Sequence, residues 1–125
     1  MKSVVPFILF AVLAGCATLQ AASRNDGRAA LGEATYVDGL HVTPRRVIED
    51  SRCPINARCI WAGRVVLGVV VEGGSWRREM ELTLGEPQHV ADGALALVSV
   101  IPGQLAGSEI DNEDYVFAFE FDGGI

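Results

Sequence analysis

Arg64-Val65-Val66-Leu67-Gly68-Val69-Val70-Val71-Glu72, followed by Gly73-Gly74 and then Trp76-Arg77-Arg78-Glu79-Met80-Glu81-Leu82-Thr83-Leu84, is the stretch that decides the fold. The second run alternates. Trp76, Met80, Leu82 and Leu84 fall on one side, with Arg78 among them, while Arg77, Glu79, Glu81 and Thr83 fall on the other. Successive side chains of a strand point to opposite faces, so this pattern predicts a strand with one packed and one wet side. The first run is apolar almost throughout, as expected of a strand covered on both faces. Gly73-Gly74 between them predicts a hairpin, because glycine readily takes the positive φ of tight turns. Working outward, Ala94 to Ile101 is a second β-rich run, closed by Pro102-Gly103. Tyr115-Val116-Phe117-Ala118-Phe119-Glu120-Phe121 places four aromatic rings on one side of a last strand, and such a stripe reads as core. Upstream, Thr35 to Thr43 reads as a strand with Asp38-Gly39 as a bulge or turn, and Arg46-Val47-Ile48 falls in another.

No segment carries a helical period over a useful length. The chain has 125 residues, 50% of them hydrophobic, which suits one domain with a real core. The expected fold is all-β, a small antiparallel barrel or sandwich of roughly five to seven short strands. A formal charge of −6 gives no electrostatic grip on phosphate, so no nucleic-acid partner is expected.

The N-terminus reads as an address. Lys2 precedes an apolar run from Val4 to Ala14, interrupted only by Pro6 and far short of the roughly 20 residues of a membrane span. It ends in Leu13-Ala14-Gly15-Cys16. Residues 1–16 resemble the leader and lipobox of bacterial lipoproteins. The resemblance implies cleavage between Gly15 and Cys16, acylation of the Cys16 sulfur and amine, and attachment to a lipid membrane through that residue. Ala17 in place of Asp implies the outer membrane in a diderm cell. After cleavage nine arginines, no lysine and 16 acidic residues remain, a formal −7. The stretch from residue 16 to 34 reads as a flexible tether and 35–125 as the β domain.

Export puts the two remaining cysteines in an oxidising compartment. With Cys16 committed to lipid, Cys53 and Cys59 are left as one pair, and a closed loop of this size stabilises by roughly 2 kcal/mol. Pro54 stiffens it by fixing φ. A zinc pair completed by His41 and His89 is the alternative, with a C-x5-C gap wider than usual. The surrounding Asp50-Ser51-Arg52-Cys53-Pro54…Cys59-Ile60-Trp61-Ala62-Gly63 is similar to a signature found in a group of small bacterial exported proteins with a β-rich domain. That resemblance implies fold and export and no activity. Arg52 is placed to pair with Glu49 or Asp50, Trp61 to cover the bridge or enter the core, and Gly63 to turn the chain into the next strand. The loop either forms a self-supporting corner or displays Ile55, Asn56, Ala57 and Arg58, with Trp61, as a preorganised recognition surface.

Other chemistry is thin. Ser75 follows two glycines but lacks the second glycine of a nucleophile elbow. Glu49 and Asp50 are adjacent and face opposite ways in a strand. Glu109, Asp111, Asn112, Glu113 and Asp114 make an acidic loop without a calcium-loop pattern. No catalytic residue, metal site or cofactor is assigned. The expected role is that of a monomeric, lipid-anchored envelope lipoprotein on the periplasmic side of the outer membrane. It would act as a non-catalytic interaction or accessory module with an envelope protein partner. The alternative is a protease-inhibitor-like module presenting the Cys53–Cys59 loop with Arg58 as its anchor.

Overall fold

The computed structural model describes residues 23–123, so the leader, its cleavage point and Cys16 lie outside the described residues. Nine strands form two sheets: β1 (Ser23–Arg24), β2 (Arg28–Ala29), β3 (Ala34–Val37), β4 (Leu40–Asp50), β5 (Val65–Glu72), β6 (Arg77–Thr83), β7 (Gln88–Val90), β8 (Gly93–Ile101) and β9 (Val116–Gly123). A 3-10 turn covers Asn112–Asp114. One sheet has the order β1-β3-β4-β5-β6 and the other β2-β9-β8-β7. All pairings are antiparallel except that of β1 with β3. The two sheets do not close into a barrel. They face each other as a sandwich.

The alternation pattern explains the layering. On β5, Val65, Leu67, Val69 and Val71 point into the core together with Leu82 of β6 and Leu40 and Val42 of β4. The opposite sheet supplies Leu95, Leu97, Val100, Phe117 and Phe119, with Tyr115 just before β9. Phe117 is completely buried and Phe119 nearly so, and the aromatic stripe is core. Burying a large apolar side chain contributes about 1.5–3 kcal/mol, so these rows supply most of the driving force. Val66 and Val70 are also buried but lie outside that core cluster, which fits β5 as an interior strand between β4 and β6.

The turns separate two expectations. Asp38-Gly39 is a two-residue hairpin turn between Val37 and Leu40, both residues at positive φ. That conformation twists in the sense the flanking strands need. Gly73-Gly74 does join β5 to β6, but in a longer loop, with Glu72 opposite Arg77 and neither glycine at positive φ. A Cβ at Gly73 would meet the Trp76 ring, which folds back over it, so a larger residue there would displace the ring. Trp76 therefore closes the hairpin loop, 37% exposed, and Arg78 is exposed; the packed side of β6 is carried by Met80 and Leu82.

The tether also ends earlier than its composition indicates. From Ser23 onward the chain belongs to the sandwich. Ser23 and Arg24 pair with Ala34 and Thr35, and Arg28 and Ala29 pair with Ala118 and Phe117. Ala29 is fully buried, and the Phe119 amide donates to the Gly27 carbonyl at 2.8 Å. Each of β1 and β2 is two residues long, too short for alternation to show, and they are held by hydrogen bonds to longer neighbours.

Candidate functional site

The connection between β4 and β5 is a hairpin whose strands part at one end to hold residues 51–64. Its neck is zipped by main-chain bonds, Ser51 N–H to the Arg64 carbonyl at 2.8 Å and Cys53 N–H to the Ala62 carbonyl at 3.1 Å. The Ser51 hydroxyl also accepts from the Arg64 amide at 3.0 Å. Gly63 sits at φ 70°, and a Cβ there would strike the Ser51 carbonyl, so only glycine allows this close approach. Cys53 and Cys59 are bonded, with their Cα atoms 5.8 Å apart.

Beneath the neck sits the main polar cluster of the described residues. Asp50 accepts from Nε and Nη2 of the Arg52 guanidinium, each at 2.8 Å, and the Tyr115 hydroxyl donates to it at 2.7 Å. The same guanidinium donates to the carbonyls of Val100 and Pro102 at 3.0 Å each. Only 6% of the Asp50 side chain and 16% of that of Arg52 are exposed. Burial pushes the Asp50 carboxyl up, but hydrogen bonds from Arg52 and Tyr115 and the positive charge of Arg52 outweigh it and hold it at about 2. Burial and the bond to Asp50 push Tyr115 up to about 12. The pairing with Asp50 likewise raises Arg52. Every strong group of this cluster is used to join β4, the end of β8 and the residue before β9. Glu49, on the other side of the strand, pairs with Arg64.

Above the neck the loop leans on residues 102–106. The Ile55 amide donates to the Gln104 carbonyl at 2.9 Å, and the Ala106 amide donates to the Asn56 side-chain oxygen at 2.8 Å. The Ala57 amide donates to the Pro54 carbonyl at 3.1 Å, closing a turn within the disulfide ring. The residues expected to form a recognition surface thus divide. Asn56 is turned onto the neighbouring loop as a brace. Ala57 and Arg58 are exposed. Ile55, Ile60 and Trp61 are 77%, 95% and 82% exposed. Trp61 does not enter the core, because the neck bonds carry the chain outward before position 61. Ile101 and Leu105, at 47% and 46% exposure, belong to the same end of the molecule. Ile60 and Leu105 were not picked out from the sequence; an apolar residue inside a turn-rich loop is the signal that would have found them.

The remaining candidates do not converge. His41 is exposed on β4 and meets the Tyr36 ring edge-on at 5.5 Å, while His89 is exposed on β7 in the other sheet. Ser75 is exposed in the β5–β6 loop. Glu109, Asp111, Asn112, Glu113 and Asp114 are all exposed, and no three His, Cys, Asp or Glu side chains come together as a metal site among the described residues. No described helix is long and apolar enough to cross a membrane. No protein-family model, curated protein or solved structure matches the chain.

Proposed function

We propose that the chain is a lipid-anchored lipoprotein of the cell envelope, facing the periplasm from the outer membrane. Its role is non-catalytic, that of a docking or accessory module whose contact surface is the Cys53–Cys59 loop end. The observation that carries this reading is the exposure of Ile55, Ile60 and Trp61 on a loop that is braced from three directions: the disulfide, the neck and the 102–106 segment. Large apolar side chains exposed together on one small loop favour a contact site, and rigidity lowers the entropy lost on contact. The strongest polar groups nearby are already spent on one another. Anchoring follows from the Leu13-Ala14-Gly15-Cys16 sequence, since two or three acyl chains hold a protein firmly without a basic patch.

The test uses the full chain expressed in a diderm bacterial host. Mass spectrometry should find an acylated Cys16 at the mature N-terminus, and an intact leader or a bare thiol there would overturn the anchor. A photoreactive residue at position 60 should crosslink in the intact envelope while one at position 79, on the outer side of β6, does not. Equal silence at both positions would remove the contact surface. A second reading, inhibition of a trypsin-like protease, is favoured by one feature, the exposure of Arg58 next to Cys59. It requires that Arg58→Ala abolish inhibition, and a protease panel left untouched by the protein would end it.

A further inference from the structure

The sandwich has a direction relative to its anchor. Arg24, Thr35 and Val42 are level across β1, β3 and β4. β4 runs from that level toward the 51–64 loop, β3 runs antiparallel to β4, and β1 runs parallel to β3. Moving backward along β1, from Arg24 to Ser23, is therefore moving toward the Trp61 end. From Val71, opposite Val42, β5 reaches the base of the loop at Val65 in six residues, roughly 20 Å, and the neck carries the chain on to Ala62 in three more, roughly 30 Å in all. Cys16 precedes Arg24 by eight residues, a reach of up to about 28 Å when extended. The span from the sheet to Cys16 thus starts in the direction of the apolar end and, extended, passes the base of the loop and comes to about the level of its Cys53–Ala62 neck, one residue short of Trp61.

From this geometry, and resting on the lipid-anchor reading above, we infer that the Trp61 end of the sandwich seats on the same lipid surface that holds Cys16, with Ile60 and Trp61 placed in the interfacial layer. Tryptophan favours that layer because its ring has an apolar body and one polar N–H. Trp61 and Ile60 are adjacent, almost fully exposed, and carried on a loop that loses little freedom on contact. A tethered contact of this kind gains from a high effective concentration, so a small apolar tip is sufficient. Charge selects the surface. Glu109, Asp111, Glu113 and Asp114 lie on the segment that follows the bracing residues 102–106 and connects β8 to β9. They outnumber the exposed Arg58 of the loop, so this end repels anionic headgroups and the surface that fits is zwitterionic. The protein then stands upright on its loop end, with the β3–β4 and β5–β6 turns pointing away from the membrane.

The experiment uses the acylated full chain carrying Trp76→Phe, which leaves Trp61 as its single tryptophan, reconstituted in phosphatidylcholine–phosphatidylethanolamine vesicles. Emission from Trp61 should shift to the blue, lose several-fold in quenching by an aqueous quencher, and be strongly quenched by lipids brominated near the headgroup end of the acyl chain. Replacing part of the lipid with an anionic one should weaken all three effects. Emission that stays as water-accessible as in detergent-free, lipid-free protein, with acylation confirmed by mass, would overturn the inference while leaving the anchor intact. Shielding from the aqueous quencher without quenching by brominated lipid would also overturn it, in favour of a protein contact. A chain found without acyl groups would remove the premise itself, a result read from the mass before any fluorescence is measured.

Discussion

Asp50 and Trp61 stand eleven positions apart, and the chain treats them oppositely. Asp50 keeps 6% of its side chain exposed and is bonded to Arg52 and Tyr115; Trp61 is 82% exposed, on a loop whose braces are made by other residues. In an ordinary small domain the carboxylate faces water and the indole fills the core. The inversion teaches that the loop end has two layers. The lower one is a polar rivet that fixes where the loop stands, and the upper one is an apolar tip that the fold itself does not use.

The largest effect is expected at the rivet. Asp50→Ala leaves the Arg52 guanidinium part-buried with only carbonyl partners and the Tyr115 hydroxyl without its acceptor. Removing one partner of such a pair costs about 3–5 kcal/mol. For a domain of this size that lowers the thermal midpoint by on the order of 15 °C or more. A midpoint within a few degrees of the parent would show that the Asp50 cluster is not what seats the loop, and the comparison would collapse.

Acid and base probe the same rivet without mutation. The folded state holds Asp50 at about 2, below its ordinary value of 3.8. Its contribution is complete above the ordinary value and is lost as pH falls through the window between the two. At 1.36 kcal/mol per unit the loss is about 2 kcal/mol by the acid end. Tyr115 works the other way. Its value is raised from 10.0 to about 12, so its contribution is complete below pH 10 and is lost as pH rises toward 12. Denaturant unfolding measured across pH should show both limbs. The acid limb should shrink in the Asp50→Ala variant and the alkaline limb in Tyr115→Phe. Limbs unchanged by these substitutions would assign the titration to other groups.

The two layers were unequally legible in the sequence. Alternation revealed β5 and β6, and the aromatic row of β9, because burial on one face leaves a period of two. The cysteine count gave the Cys53–Cys59 bond, and proximity suggested Arg52 with Glu49 or Asp50. Tyr115, Val100 and Pro102 were invisible as partners of that pair, since they lie about 50 residues or more away and nothing local encodes the meeting. Trp61 was left open between the core, the disulfide and a displayed surface for a different reason: composition sends an indole inward, and only the neck bonds and the φ of Gly63 reveal that the chain has already turned out. β1 and β2 escaped because two residues cannot display a pattern, although Asn25-Asp26-Gly27 between them is a turn signal.

The smallest effect on stability is expected at the tip, and its smallness is what gives the comparison its meaning. Ile60→Ala and Trp61→Ala remove side chains that are 95% and 82% exposed, so each should change the unfolding free energy by no more than about 0.5 kcal/mol. The same substitution of a buried aromatic such as Phe117 costs about 3–5 kcal/mol. An indole that contributes nothing to folding still carries an exposed apolar surface, and that surface is what the proposed contact would use. Chemical unfolding of the isolated, full chain separates the two cases. A loss above about 1 kcal/mol in Trp61→Ala would place the ring in a packed role, and the upper layer would then be part of the rivet and not a surface offered to a partner.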